Sequence, residues 1–343
     1  MSELSLTCAP TVKLAAELMQ AVVCTAYGAP EVLALQEVPK PVPLPHQVRI
    51  KVLATTVSAA CTTMRKADSL MARLVLGFGK PRRRYRVMGV ELAGVIDQVG
   101  ANVTTFRPGD RVFGFTGFSP GAHAQYCCLS ENSSLAVIPS RWSYDEAAAI
   151  VDGATTAIYF LRERAKLRPA ERVLVIGASG SVGTAAVQVA RHLGAEVTGV
   201  CSTANLELVS SLGAHRVIDY TRNDYTEHEP AGRYDIVFDT VGKSSFSRCK
   251  RLLSARGRYL TTVGGLGMFA RDAWSRLFGA KKLVFGMSID KRESLPEVVR
   301  LCESGELRPV IDRRYPLSEM VEAHRYVDTG HKKGSVVISV PHD

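Results

Sequence analysis

The segment from Arg172 to Gly183, RVLVIGASGSVG, constrains this chain more than any other. Val173 to Ile176 are continuously apolar, as a strand buried on both faces requires. Gly177, Gly180 and Gly183 then mark a turn, and Ala185, Ala186, Val189, Ala190 and Leu193 come after it at the spacing of a helix with one buried side. A strand that passes through glycines into a helix brings unpaired N–H groups and the positive end of the helix dipole to one point, where a phosphate can approach the backbone. The segment therefore predicts a dinucleotide pyrophosphate site on Ser179, Gly180, Ser181, Val182 and Gly183, although the first fingerprint position holds Ala178 rather than glycine.

The chain beyond the turn supports this reading. Apolar strands are expected at Glu196–Val200, Arg216–Ile218, Tyr234–Asp239, Arg258–Val263 and Leu283–Phe285, with helical spacing at Leu206–Leu212 and Leu295–Ser304. Strand alternating with helix in this way predicts an α/β fold with a doubly wound parallel sheet. Ahead of the turn the texture differs. Short alternating runs such as Val48–Val52 and Gly94–Gly100 lie between Pro and Gly, and Pro39, Pro41, Pro43 and Pro45 stiffen one loop, which predicts a β-rich domain. Helical pattern begins near Tyr144, over Asp145–Ile150 and again over Thr156–Arg164. The closing run Ser335–Val340 alternates like the first domain, which it is expected to complete.

Length and composition narrow the class. A chain of 343 residues accommodates two domains, and 46% hydrophobic with 22% charged residues is ordinary globular composition. No apolar run approaches the roughly 20 residues of a membrane-spanning helix. Residues 1–18 lack the pattern of a secretion signal, with Glu3 and Glu17 opposing a transit peptide, and read as an extension. The eight cysteines include no CxxC pair, so free thiols in a cytoplasmic protein are expected. The net charge of +10 comes from dispersed residues except at Lys80 and Arg82-Arg83-Arg84-Tyr85-Arg86, a cluster that suits a solvated loop or an anionic ligand and does not by itself indicate nucleic acid.

The order of segments resembles the medium-chain dehydrogenase/reductase superfamily, in its zinc-free quinone oxidoreductase-like branch. The resemblance rests on Ala21-Val22-Val23, Tyr27–Leu33, the Pro-rich loop, Phe106–Val112, the glycine turn, and Ser211–Ala214 before Val217–Tyr220, and runs from about Met19 to the end. It implies a GroES-like β-rich catalytic domain over 19–145, completed by 288–343, and a Rossmann nucleotide domain over 146–287. It further implies a nicotinamide cofactor in the cleft and a homodimer joined through the Rossmann sheet edges. Zinc-dependent relatives carry Cys, Gly-His-Glu and Cys where this chain has Ser58, Gly89-Val90-Glu91 and Asp152, a set that does not make a zinc site, so no metal is expected.

Cofactor preference is read at the end of the second nucleotide-domain strand. An acid there would bind a ribose 2′-hydroxyl and repel a 2′-phosphate. The strand ends instead in Cys201-Ser202-Thr203-Ala204-Asn205, which favours NADPH on Ser202 and Thr203, although these hydroxyls also suit helix capping. The resemblance adds Tyr220, with Arg222 nearby, and implies roles beside the nicotinamide or pyrophosphate for Thr156, Thr240, Val241, Gly264 and Gly265.

The expected chemistry is hydride transfer to a quinone, an enone or another small carbonyl compound. Charge then develops on the carbonyl oxygen, so a donor is needed there. Ser58 is the first candidate, with helix capping as its alternative role. Tyr85 and its neighbouring arginines are candidates to protonate or steer the product, and a lid loop is the alternative. His123 reads as a strand histidine. Two other functions fit the pattern: a carbonyl reductase or alcohol dehydrogenase without zinc, and a nucleotide-binding protein with vestigial activity and an RNA or protein partner.

Overall fold

A computed structural model describes residues 17–117 and 119–342. The extension expected over 1–18 lies outside the described residues apart from Glu17, whose carbonyl accepts from Lys40 N at 2.7 Å, and Leu18, which already belongs to a strand.

The chain begins with β1 (Leu18–Cys24), β2 (Leu33–Pro39) and the long β3 (Gln47–Val57), followed by α1 (Ala59–Lys66), α2 (Leu70–Leu76), β4 (Glu91–Val99), β5 (Arg111–Phe115), β6 (Tyr126–Ser130) and β7 (Ser134–Val137). α3 (Tyr144–Ile158) leads into β8 (Arg172–Ile176), α4 (Ser181–His192), β9 (Glu196–Cys201), α5 (Leu206–Ser211), β10 (Arg216–Asp219), α6 (Tyr225–His228), β11 (Tyr234–Asp239), α7 (Phe246–Cys249), β12 (Leu253–Thr261), α8 (Leu266–Phe278) and β13 (Lys282–Phe285). The chain closes with α9 (Leu295–Glu303), β14 (Ile311–Pro316), α10 (Met320–Asp328) and β15 (Ser335–Ser339).

β8 to β13 form a parallel six-stranded sheet in the order β10-β9-β8-β11-β12-β13. The strand order reverses between β8 and β11, and ligands bind in the crevice at such a point. Val173, Leu174 and Val175 are fully buried, as a sheet covered by helices on both faces demands. The other large sheet runs β14-β15-β3-β4-β5-β7. β3 carries it: Gln47–Lys51 pair with β6, Ala54–Val57 pair with β15, and β4 covers the opposite edge. The C-terminal strand is thus an integral member of the sheet begun by the N-terminal half.

Helix α3 departs from the expected pattern. Two helical stretches separated near residues 151–155 are one continuous helix, opened by a Ser143–Glu146 capping box and followed by a π-helical segment at Tyr159–Arg164. Gly153 does not break it because closeness is what the position needs: a Cβ there would lie 2.5 Å from Ser181 O. The helix can therefore rest directly on the glycine turn. That contact ties the two sheets together at the site.

Candidate active site

The glycine turn fixes its own shape. Gly177 has φ +77°, and a Cβ at Gly183 would sit 2.0 Å from Gly177 O. Gly180 donates to Gly177 O at 3.0 Å and then becomes the N-cap of α4 with no side-chain cap. The first helical bond runs from Thr184 N to Gly180 O at 2.8 Å, so the N–H groups of Ser181, Val182 and Gly183 have no acceptor within the helix. Such a terminus suits a pyrophosphate. A cavity of about 560 Å³ opens beside it, lined by Ser179 and Gly180 from the turn, by Ser202 and Tyr220, and by Val241.

Several expected contacts lie elsewhere. Thr203 turns its hydroxyl to Asp219 Oδ2 at 2.5 Å and does not line the cavity. Arg222 is paired with the same carboxylate at 3.5 Å. Asp219 also accepts from Thr221 N at 2.9 Å, and the hydrogen bonds from Thr203 and Thr221 hold its carboxyl below the usual range. Thr240 donates to Ile176 O at 2.8 Å and so braces the turn from behind. Ser181 shares a 3.0 Å hydrogen bond with Ser335, while Val182 packs against the core. Gly264 sits against Met268 and Phe285, and neither it nor Gly265 lines the cavity.

Asn205, read in the sequence only as part of a loop without acid, is central here. Its Nδ2 donates to Ser179 Oγ at 3.0 Å and to Ser202 Oγ at 3.2 Å, joining the glycine turn to the loop after β9. The residue lines the cavity, and its buried Oδ1 has no partner among the described residues. A buried carbonyl oxygen without a donor is costly unless a ligand supplies one. Around it the cavity carries Lys243, Arg248, His331 and Lys332 against a single carboxylate, Asp224, which is already paired with Arg248 at 2.8 Å. An anionic, polyhydroxylated ligand fits this lining.

The cavity is closed by the C-terminal segment. Gly334 N donates to Ser179 O at 2.7 Å, and Ser335 Oγ donates to Ala149 O at 2.8 Å. Thr329 to Lys332 therefore lie across the mouth of the turn.

Behind the turn lies a buried charged network. Lys291 is fully buried, and its Nζ donates to Asp152 Oδ1 at 2.7 Å and Thr156 Oγ1 at 3.1 Å while facing the Phe115 ring at 4.7 Å. Thr156 passes a hydrogen bond on to Asp152 Oδ1 at 3.2 Å, so its hydroxyl proton is committed to the network rather than to the cavity. Glu91 Oε1 accepts from Asp152 N at 3.0 Å, and Thr56 Oγ1 donates to Glu91 Oε2. Burial, followed by the neighbouring Asp152 charge, raises the Glu91 carboxyl well above its ordinary value. Burial would raise Asp152 too, but the Lys291 ammonium and its hydrogen bond outweigh this and hold it low.

These contacts bear on how well the residues fit a metal ion. Position 152 presents its carboxylate to an ammonium, position 90 is valine, and Ser58 Oγ lies 3.6 Å from Cys61 Sγ. A second cation beside Lys291 would be repelled, and valine offers no donor, so these residues do not fit a zinc ion. Among the described residues no group of three His, Cys, Asp or Glu could hold one.

Ser58 stands at the N-cap position of α1, yet its side chain makes no capping bond. It lies two residues after Thr56, which joins it through the chain to Glu91 and Asp152. Neither Ser58 nor Tyr85 lines the cavity beside the glycine turn, and Tyr85 is buried with Ala67 and Leu76, which leaves its hydroxyl away from the expected proton-donor role. His123 is buried with Nε2 2.9 Å from Thr56 O, which makes Nε2 the donor and fits the strand-histidine reading.

The family comparisons agree with this geometry. Residues 44–140 match the alcohol dehydrogenase GroES-like domain, and residues 212–338 match the family described as zinc-binding dehydrogenase. The quinone-oxidoreductase homolog of Spinacia oleracea chloroplasts is 31% identical over 335 residues, 95% of this chain and 99% of that one. The chain belongs to the medium-chain dehydrogenase/reductase superfamily, in its quinone oxidoreductase-like branch. The quinone oxidoreductase of Homo sapiens is likewise 31% identical, over 92% of this chain and 95% of its own. Among solved structures, the quinone oxidoreductase from Coxiella burnetii aligns at a TM-score of 0.86 and 25% identity, covering 95% of this chain and 100% of that one. Membership makes this chain an oxidoreductase that uses a nicotinamide cofactor, and the turn, Asn205 and the basic lining are the parts that fit one.

Proposed function

We propose that this member reduces quinones or α,β-unsaturated carbonyl compounds, uses NADPH in preference to NADH, and does so without zinc. The observation that carries the reading is the lining around Asn205. No acid follows β9, the unpartnered Oδ1 awaits a donor, and Lys243, Arg248, His331 and Lys332 oppose a ligand of high negative charge. The relatives' names add quinone as the substrate class.

The cofactor supplies hydride when bound; the chain supplies position and polarity. Ser179 to Gly183 hold the pyrophosphate through backbone N–H groups, and Asn205 fixes the adenosine side with Ser202 and Tyr220. Val241 packs along the cleft, while Thr240 and Gly177 keep the turn rigid. Thr156, pinned by Lys291 and Asp152, sets the position of α3 against the turn. Ser58 Oγ, not consumed in capping, is the hydroxyl offered to the substrate carbonyl oxygen as it gains charge. The final proton comes from solvent.

Three further parts of the reading have specific support. Domain boundaries near 146 and 288 are supported by the sheet membership, which changes between β7 and β8 and again between β13 and β14. A homodimer along β13 is supported by the open outer edge of that strand and by exposed Trp274, Leu277 and Phe278 on α8, which is joined to β13 by Leu283 N donating to Ser275 Oγ at 2.9 Å. A cytoplasmic location is supported by the seven free cysteines among the described residues. The experiment that tests the function is NADPH fluorescence titration followed by oxidation assays on quinones, enones and aldehydes. Turnover confined to aldehydes would favour the carbonyl-reductase reading instead.

A further inference from the structure

Helix α2 and the loop after it line no part of the cavity beside the glycine turn. Of its apolar residues only Leu76 is buried, packed with Ala67 and Tyr85. Leu70, Met71, Leu74 and Val75, with Phe78 just beyond, are between 47% and 67% exposed. Five large apolar side chains on so short a stretch of surface are far more than scattered exposure explains. The same stretch is strongly basic. From Ser69 to Val90 there are six Arg or Lys residues and no Asp or Glu: Arg73, Lys80, Arg82, Arg83, Arg84 and Arg86. None of the six is in an ion pair among the described residues, and all but Arg86 are exposed.

The basic loop is fastened to the helix. Arg82 N donates to Leu76 O at 2.7 Å, and Arg82 Nη2 donates to Leu74 O at 3.1 Å. Tyr27 Oη donates to Gly77 O at 2.8 Å, and Arg73 Nε donates to Ala67 O at 3.0 Å. Buried Tyr85 anchors the far end of the loop. These bonds hold the basic loop against the helix that carries the exposed apolar side chains.

We propose that this patch docks on an anionic phospholipid surface. Leu70, Met71, Leu74, Val75 and Phe78 enter the interfacial region while the surrounding Lys and Arg side chains meet acidic headgroups. No helix among the described residues is long and apolar enough to cross a membrane, so the attachment is peripheral and reversible. Anionic lipid fits better than nucleic acid. A single-stranded nucleic acid would call for aromatic stacking platforms beside the cations, and here the exposed side chains are aliphatic except Phe78. It also fits better than an acidic protein groove, since the patch shows charge and bare aliphatic surface but no exposed carboxylate to set a register.

The test is co-sedimentation of the full chain with vesicles of phosphatidylcholine alone and of phosphatidylcholine with about 30% phosphatidylserine. The protein should pellet with the anionic vesicles and be released when salt is raised. R83A/R84A should weaken partitioning about tenfold or more, since each cation near the surface contributes on the order of a fivefold factor. L74S/F78S should abolish it, with melting temperature and NADPH binding confirming that both variants fold. Equal sedimentation with neutral and anionic vesicles, or failure to bind either at low salt, overturns the proposal. So does salt-dependent RNA binding in place of vesicle binding, or a change of oligomeric state in L74S/F78S with lipid binding untouched.

Discussion

Lys291 Nζ donates to Asp152 Oδ1 at 2.7 Å from a fully buried side chain, so a fixed ammonium stands beside the position where zinc-dependent relatives place a cysteine. The pair is isolated from water on the lysine side and shared with Thr156. Removing one partner leaves the other charge without compensation, whereas removing both does not.

Lys291→Met is therefore expected to destabilise the fold by about 3 kcal/mol, the lower end of the range for a broken buried pair because Asp152 keeps some access to solvent. D152N/K291M should recover most of the loss. Urea denaturation of the two variants checks this, and equal loss in both would mean that packing rather than charge decides.

Asn205→Ala removes the link between Ser179 and Ser202 as well as the unpartnered Oδ1. Cofactor Kd should rise about tenfold, equivalent to roughly 1.4 kcal/mol. Fluorescence titration reads the change, and an unaltered Kd would remove Asn205 from the binding site.

Two glycines should part company. Gly183→Ala places a Cβ 2.0 Å from Gly177 O and is expected to abolish cofactor binding, whereas a Cβ at Gly265 meets nothing within 4 Å. Gly265→Ala should melt within a few degrees of the parent chain. Melting curves with and without NADPH measure both.

Stability should fall on acidification. Burial pushes His123 down from 6.5 to about 4 and His324 to about 2, so below 6.5 the unfolded chain takes up protons that the folded chain refuses. Stabilisation from neutral His123 is complete above 6.5 and is lost as pH falls from there to about 4, a change on the order of 3 kcal/mol. Replacing His123 with Gln should flatten that part of the pH–stability curve.

Much of the fold is legible in pattern because its signals are local. Continuous apolar strands, glycine punctuation and helical spacing each lie within about a dozen residues, and β8 to β13 appear in the predicted order, β12 beginning five residues earlier, at Leu253, than its apolar run suggests. Pattern alone splits α3 in two because a mid-helix glycine carries no sign that Ser181 packs against it. Site residues divide along the same line. Ser179, Gly180, Ser202, Tyr220 and Val241 line the cavity, and each is visible in the sequence because it adjoins a strand end. Lys291 stays hidden because its partner is 139 positions away and nothing local marks it for burial. Thr203 and Thr240 look like ligand contacts in the sequence because a hydroxyl at a strand end carries no record of the competing acceptor, Asp219 for one and Ile176 O for the other. Asn205 lies in the expected loop, and its resemblance to a helix-capping residue conceals the open carbonyl oxygen.

The most direct measurement is kcat/KM for NADPH and for NADH with a simple quinone as acceptor, on the protein stripped of metal by chelation. The expected result is turnover undiminished by chelation and at least tenfold greater with NADPH. A preference for NADH, or loss of activity on chelation with recovery on adding zinc, would contradict a zinc-free, NADPH-selective cleft.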